Sequence, residues 1–182
     1  LAAAQVAGVH QSAKYTSHVL MADDDSCIPG LTALAAAVKS GGATVFQQLF
    51  HDGREMMESE DGTMAVALAP SAVPSERFMV MPRAMPNALV HEMIGCYASA
   101  AARVRTAGFD GVEVVASHGY LPAQFLNPRT NVRTDEFGGS LANRLRFLRD
   151  VLVAVRVAVG PEMAVGIRIS VGERSDEGLT ED

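Results

Sequence analysis

The chain has 182 residues, 48% of them hydrophobic, with a formal net charge of −6. That length suits one domain with a sizeable core or part of a larger one, and no apolar run approaches the about 18 residues of a transmembrane helix. The acidic balance argues against phosphate-driven nucleic-acid binding, although the arginines between Arg129 and Arg156 keep local positive potential.

Leu1 to Gly8 reads as a small-residue strand, and because no basic region precedes LAAAQVAGV, a signal peptide is not expected. Pro29 to Lys39 follows as a helix, with Leu31, Leu34, Ala35 and Val38 at helical spacing and Gly41-Gly42 ending it. Ala43 to Phe50 is a strand that stops at His51-Asp52-Gly53-Arg54. The stretch from Arg54 to Pro86 has no clear period. It holds six methionines (Met56, Met57, Met64, Met79, Met81 and Met85), which suits either a plastic binding loop or a partly disordered excursion. Asn87 to Ala107 is the next helix, with Ile94, Tyr97, Ala98, Ala101 and Val104 as its apolar stripe and Gly108 at a left-handed cap. A strand at Gly111 to Ala116 leads into a polar loop. Ser140 then caps a helix whose apolar face is Leu141, Leu145, Leu148, Leu152 and Val155. Gly160-Pro161 stops it, and Ala164 to Ser170 is the last strand. Cys27 and Cys96 lack any metal-ligand spacing and read as buried free thiols of a reducing cytoplasm.

Four strands thus alternate with three helices. The long insertions follow strands, while the links from helix to strand are short, which favours an α/β TIM barrel, (β/α)8, with its active face at the strand C-termini. A doubly wound sheet competes, but no GxGxxG follows any strand. A complete barrel takes about 250 residues, so residues 1–182 read as a partial barrel domain, roughly strands 2 to 5 with their helices.

The polar residues at strand ends are the candidate site. Gln48 lies inside an apolar strand, where its amide either bonds neighbouring backbone or serves the edge of a flat heteroaromatic ring. Arg168 in mid-strand needs either an anion or an ion pair, with Glu113 as the nearest candidate. His118 and Tyr120 follow the central strand closely. They are either structural or catalytic: histidine donates to a substrate oxygen, and tyrosine delivers a proton to a developing carbanion. Arg133, Asp135 and Gly138-Gly139 read as shaping the loop that seats the Ser140 helix.

The segments VFQQLFHDGR (Val45 to Arg54), APSA (Ala69 to Ala72), AGFDGVEVVASHGYLPAQFLNPRTNVRTDEFGGSLANRLRFL (Ala107 to Leu148) and VGIRIS (Val165 to Ser170) resemble the old yellow enzyme family of NADH:flavin oxidoreductases. Through GYLPAQFLNPRTN the chain looks closest to the branch that includes 2,4-dienoyl-CoA reductase and trimethylamine dehydrogenase. The resemblance implies an FMN-binding TIM barrel in which Gln48 and Arg168 bind the cofactor and Tyr120 and His118 are catalytic, with Tyr120 the proton donor. It further implies NAD(P)H as electron donor, a small unsaturated substrate whose activated C=C bond is reduced, and a cytoplasmic protein that binds neither nucleic acid nor membrane. Many ene reductases of the family carry a histidine at the position of Val115, as dienoyl-CoA reductases do not. The tyrosine that trimethylamine dehydrogenase has there is also missing, so an amine or alcohol dehydrogenase is the alternative reading, and a catalytically inactive half-barrel fragment a third. Any iron–sulfur cluster or FAD would belong beyond Asp182. An open half-barrel leaves sheet edges unpaired, so the fragment alone is expected to lose FMN and to form a homo-oligomer.

Overall fold

Why the helices all cover one side of the sheet follows from alternation along the strands. The computed structural model describes residues 1–16, 18–57 and 66–170, so Met64 of the methionine-rich stretch lies outside it. In chain order the elements are β1 (Ala2–Gly8), β2 (Leu20–Met21), α1 (Ile28–Ser40), β3 (Val45–Phe50), β4 (Leu68–Ala69), β5 (Arg83–Ala84), α2 (Asn87–Thr106), β6 (Gly111–Ala116), α3 (Leu121–Leu126), α4 (Leu141–Val159) and β7 (Ala164–Ile169). Val45, Leu49, Val112 and Val114 point one way from β3 and β6 and share a core with Leu31, Tyr97, Val104, Val151 and Val155 of the helices. With a period of two, Phe46, Gln48, Glu113, Val115 and Arg168 point the other way.

The five-stranded sheet runs β2-β1-β3-β6-β7, and every pairing is parallel. Its long strands neighbour one another in the order in which they occur in the chain, with a helix in each crossover. A doubly wound sheet reverses its strand order at a switch point, whereas an arc of a barrel does not. The α/β architecture is therefore part of a TIM barrel, as expected.

Three local readings need correction. The stretch after Arg54 is not without structure in its described part. Leu68 and Ala69 pair in parallel with Arg83 and Ala84, and Arg133 donates to the carbonyls of Pro70 and Met85. The apolar face of α4 is turned from the one expected: Phe147, Leu148, Val151, Val155 and Val159 are buried, while Leu141 and Leu145 are 54% and 41% exposed. The cause is Phe147, whose ring stacks on Phe125 at 4.2 Å and meets the edge of Tyr97 at 6.4 Å. Burying that ring outweighs burying two leucines at the solvent edge. Finally, both cysteines are half-buried free thiols rather than fully buried ones.

Helix ends follow the sequence closely. Ser140 caps α4 by accepting from the Asn143 N–H at 3.3 Å, and Gly108 adopts φ +84 after α2. Gly138 is required for a different reason: a Cβ there would stand 2.2 Å from the Arg133 carbonyl oxygen, so only glycine lets the two backbone segments approach. Among the described residues no helix is long and apolar enough to cross a membrane.

Candidate active site

Parallel pairing sets Gln48 opposite Glu113, and Val115 opposite Arg168, on the face away from the helices. Beyond the end of β6 the chain turns back over this face. His118 takes φ +59 and Gly119 φ +72, two consecutive left-handed residues that lift the His118 and Tyr120 side chains above the strand ends. The result is a cavity of about 270 Å³ that Gln48, His118, Tyr120 and Arg168 line together. Ala3, Val6 and Val115 give it an apolar floor. All four residues singled out in the sequence are thus brought to one place.

Gln48 Nε2 donates to Glu113 Oε1 at 2.7 Å, so its partner is a side chain and not backbone. The amide that does bond backbone is the neighbouring Gln47, fully buried on the helix side, which donates to Gln5 O at 2.6 Å and Gln48 O at 3.0 Å. Arg168 Nη1 lies 3.8 Å from the same Glu113 oxygen, but the Arg168 side chain stays 53% exposed and keeps donors for another acceptor. The ion pair weighed in the sequence exists without using up the guanidinium.

The Ser117 hydroxyl is 2.7 Å from His118 Nδ1; when it donates there, the ring carries its proton on Nε2. Tyr120 is wedged against Phe50 at 5.2 Å, His118 at 5.9 Å and Tyr15 at 6.1 Å between ring centroids. Burial, followed by the neighbouring Tyr15, pushes its hydroxyl above the usual tyrosine range, so the group keeps its proton at neutral pH. Tyr15 carries no signature of this role in the sequence, because nothing in its polar loop shows that the loop folds back onto the tyrosine more than a hundred residues later.

A buried polar cluster lies behind the site. His51 Nδ1 accepts from the Gly53 N–H at 3.0 Å, so its proton sits on Nε2 and is donated to Ser12 Oγ at 2.9 Å, which in turn donates to His10 Nδ1 at 2.7 Å. His51 is therefore neutral, and burial lowers its pKa to about 3. Burial likewise pushes the Asp52 carboxyl up to about 8, with nearby backbone N–H groups pulling weakly the other way. Between pH 3.8 and 6.5 the two groups oppose each other: the unfolded chain holds the His51 proton and the folded chain the Asp52 proton. From pH 6.5 to 8 only Asp52 acts, and stability falls as pH rises. The expected loss is about 2 kcal/mol across that window. Denaturant midpoints should show it, and Asp52→Asn should flatten the curve above pH 6.5. An equal decline in the variant would exclude Asp52 as the cause.

A second cavity, of about 200 Å³, opens on the other side of Gly119 between Arg54, Glu76 and Arg129. Its arginines face Glu55 and Glu76 at 3.2 and 3.6 Å, so its charges are already balanced.

A parallel barrel arc with polar side chains gathered over an apolar floor toward its strand ends is the frame of an enzyme that works at the strand C-termini. The chain belongs to the NADH:flavin oxidoreductase / NADH oxidase family, the old yellow enzyme family, whose model matches residues 1–182. It is 45% identical over 148 residues to a metal reductase of Desulforamulus reducens, covering 81% of this chain and 22% of that protein. It is 41% identical over 157 residues to an NADPH dehydrogenase of a Geobacillus species, covering 86% of this chain and 44% of that one. Among solved structures, a 2-naphthoyl-CoA reductase complex superposes with a TM-score of 0.90 at 31% identity, over 98% of this chain and 29% of the other. Morphinone reductase gives 0.83 at 32% identity, over 92% and 48%. The chain therefore spans less than half the length of each of these proteins.

Proposed function

We propose that the protein carrying this chain binds FMN and uses NAD(P)H to reduce an activated C=C bond. The observation that carries this reading is the convergence of Gln48 and Arg168 with His118 and Tyr120 around one cavity. The donor set fits a flavin. Gln48 offers amide hydrogen-bonding atoms and Arg168 a guanidinium with spare donors, which together complement a ring edge of alternating N–H and C=O groups. The apolar floor suits a flat ring. When bound, FMN supplies the hydride that neither side chain can.

The chain's own residues account for the rest of the chemistry. With the cofactor bound, Arg168 would place positive charge at the ring edge and would favour its electron-rich form. His118 donates from Nε2 to the substrate carbonyl and so polarises the double bond, while Tyr120 holds the proton that the second carbon takes up. Val115, only 1% exposed, cannot donate, so His118 grips the carbonyl without a partner at that position. That favours an acceptor already activated by conjugation, such as an enoyl thioester.

The test is an anaerobic stopped-flow experiment on the full-length protein. NADH or NADPH should bleach the flavin absorbance, and an α,β-unsaturated thioester or ketone should restore it. Bleaching by a simple amine or alcohol, with no reoxidation by any unsaturated compound, would establish the dehydrogenase reading instead.

A further inference from the structure

Glu113 does not line the cavity, yet it touches both of the residues that would hold the ring edge. It stands directly opposite Gln48 in the β3–β6 register, and the oxygen that accepts from Gln48 at 2.7 Å is the same one that lies 3.8 Å from Arg168. An ionised carboxylate only accepts, so the amide atom against it has to be the NH2 group. The amide carbonyl is then the end left for whatever Gln48 meets in the cavity.

Resting on the flavin reading above, we propose that Glu113 is the positioning residue of the cofactor site. It holds the Gln48 carbonyl toward a ring N–H and offsets part of the Arg168 charge. Without it the amide is free to flip, and a flipped amide sets NH2 against N–H, two donors facing each other. Arg168, relieved of its counter-charge, then draws more electron density onto the ring. One carboxylate thus governs both the hydrogen-bonding pattern and the electrostatics of the edge.

Glu113→Gln and Glu113→Asp in the full-length protein separate the two effects. Glu113→Gln should weaken FMN binding about tenfold, the weight of one charge-assisted hydrogen bond, and should raise the midpoint potential of the bound flavin. Glu113→Asp keeps the charge but is a methylene too short to reach Gln48, so affinity should fall with little rise in potential. Wild-type affinity and potential in Glu113→Gln overturn the proposal. Should that variant fail to fold, wild-type affinity in Glu113→Asp overturns it equally. Wild-type protein that holds no FMN at all fails the flavin reading first, before any variant is made.

Discussion

On the proposed function, Tyr120→Phe in the full-length protein is expected to slow reduction of the unsaturated substrate by about 10²–10⁴-fold while leaving reduction of the flavin by NAD(P)H close to wild type. The asymmetry follows from where the hydroxyl sits. Its ring is held by Phe50, His118 and Tyr15, contacts that phenylalanine preserves, so the substitution removes a proton donor and little packing. The raised pKa keeps that proton in place across the neutral range, and the proposed cofactor contacts fall to Gln48 and Arg168 instead. Separate stopped-flow traces of the two half-reactions check the prediction. Equal impairment of both, or of neither, removes Tyr120 from the proton-donor role.

The largest effect on stability is expected at Arg133. Its side chain is 8% exposed, and its guanidinium donates to Pro70 O at 2.9 Å, to Met85 O, to Asn87 Oδ1, and through two bonds of 3.0 and 2.6 Å to Asp135. These bonds hold the Asp135 carboxyl below the usual carboxylate range. They also tie the loop before α2 to the loop before α4. Arg133→Ala leaves the buried Pro70 and Met85 carbonyls without this donor and the Asp135 carboxylate with only the Phe137 N–H, and should cost about 2–4 kcal/mol. Arg133→Lys should recover little, because an ammonium cannot reproduce a planar fork aimed at four acceptor groups. Denaturant midpoints of both variants provide the check; a loss under about 0.5 kcal/mol in Arg133→Ala would place the loop's anchorage elsewhere.

The role of Arg133 shows how far local reading reaches. Its spacing from Asp135 and from Gly138-Gly139 marked a structured loop, and the pairing with Asp135 is there at hydrogen-bond distance. Its acceptors at Pro70, Met85 and Asn87 had no local signature, since they come from chain about fifty residues away or more. Likewise α3 has no helical signature in the sequence: six residues, Leu121 to Leu126, all buried, are too short to show a helical period.

What the sequence determined by itself was everything that depends on neighbours along the chain. The four long strands, the three long helices, the Ser140 cap, the Gly108 stop and the candidates Gln48, His118, Tyr120 and Arg168 all rest on periodicity, capping or strand-end position. Tertiary structure alone decided how those pieces meet. Strand order within the sheet separated a barrel arc from a doubly wound sheet, and register set Gln48 against Glu113. Phe147, by stacking on Phe125, turned α4 away from its leucine stripe. The physical reason is common to all three: pairing and packing depend on distances between residues far apart in the chain, and alternation and turn chemistry carry no record of those distances.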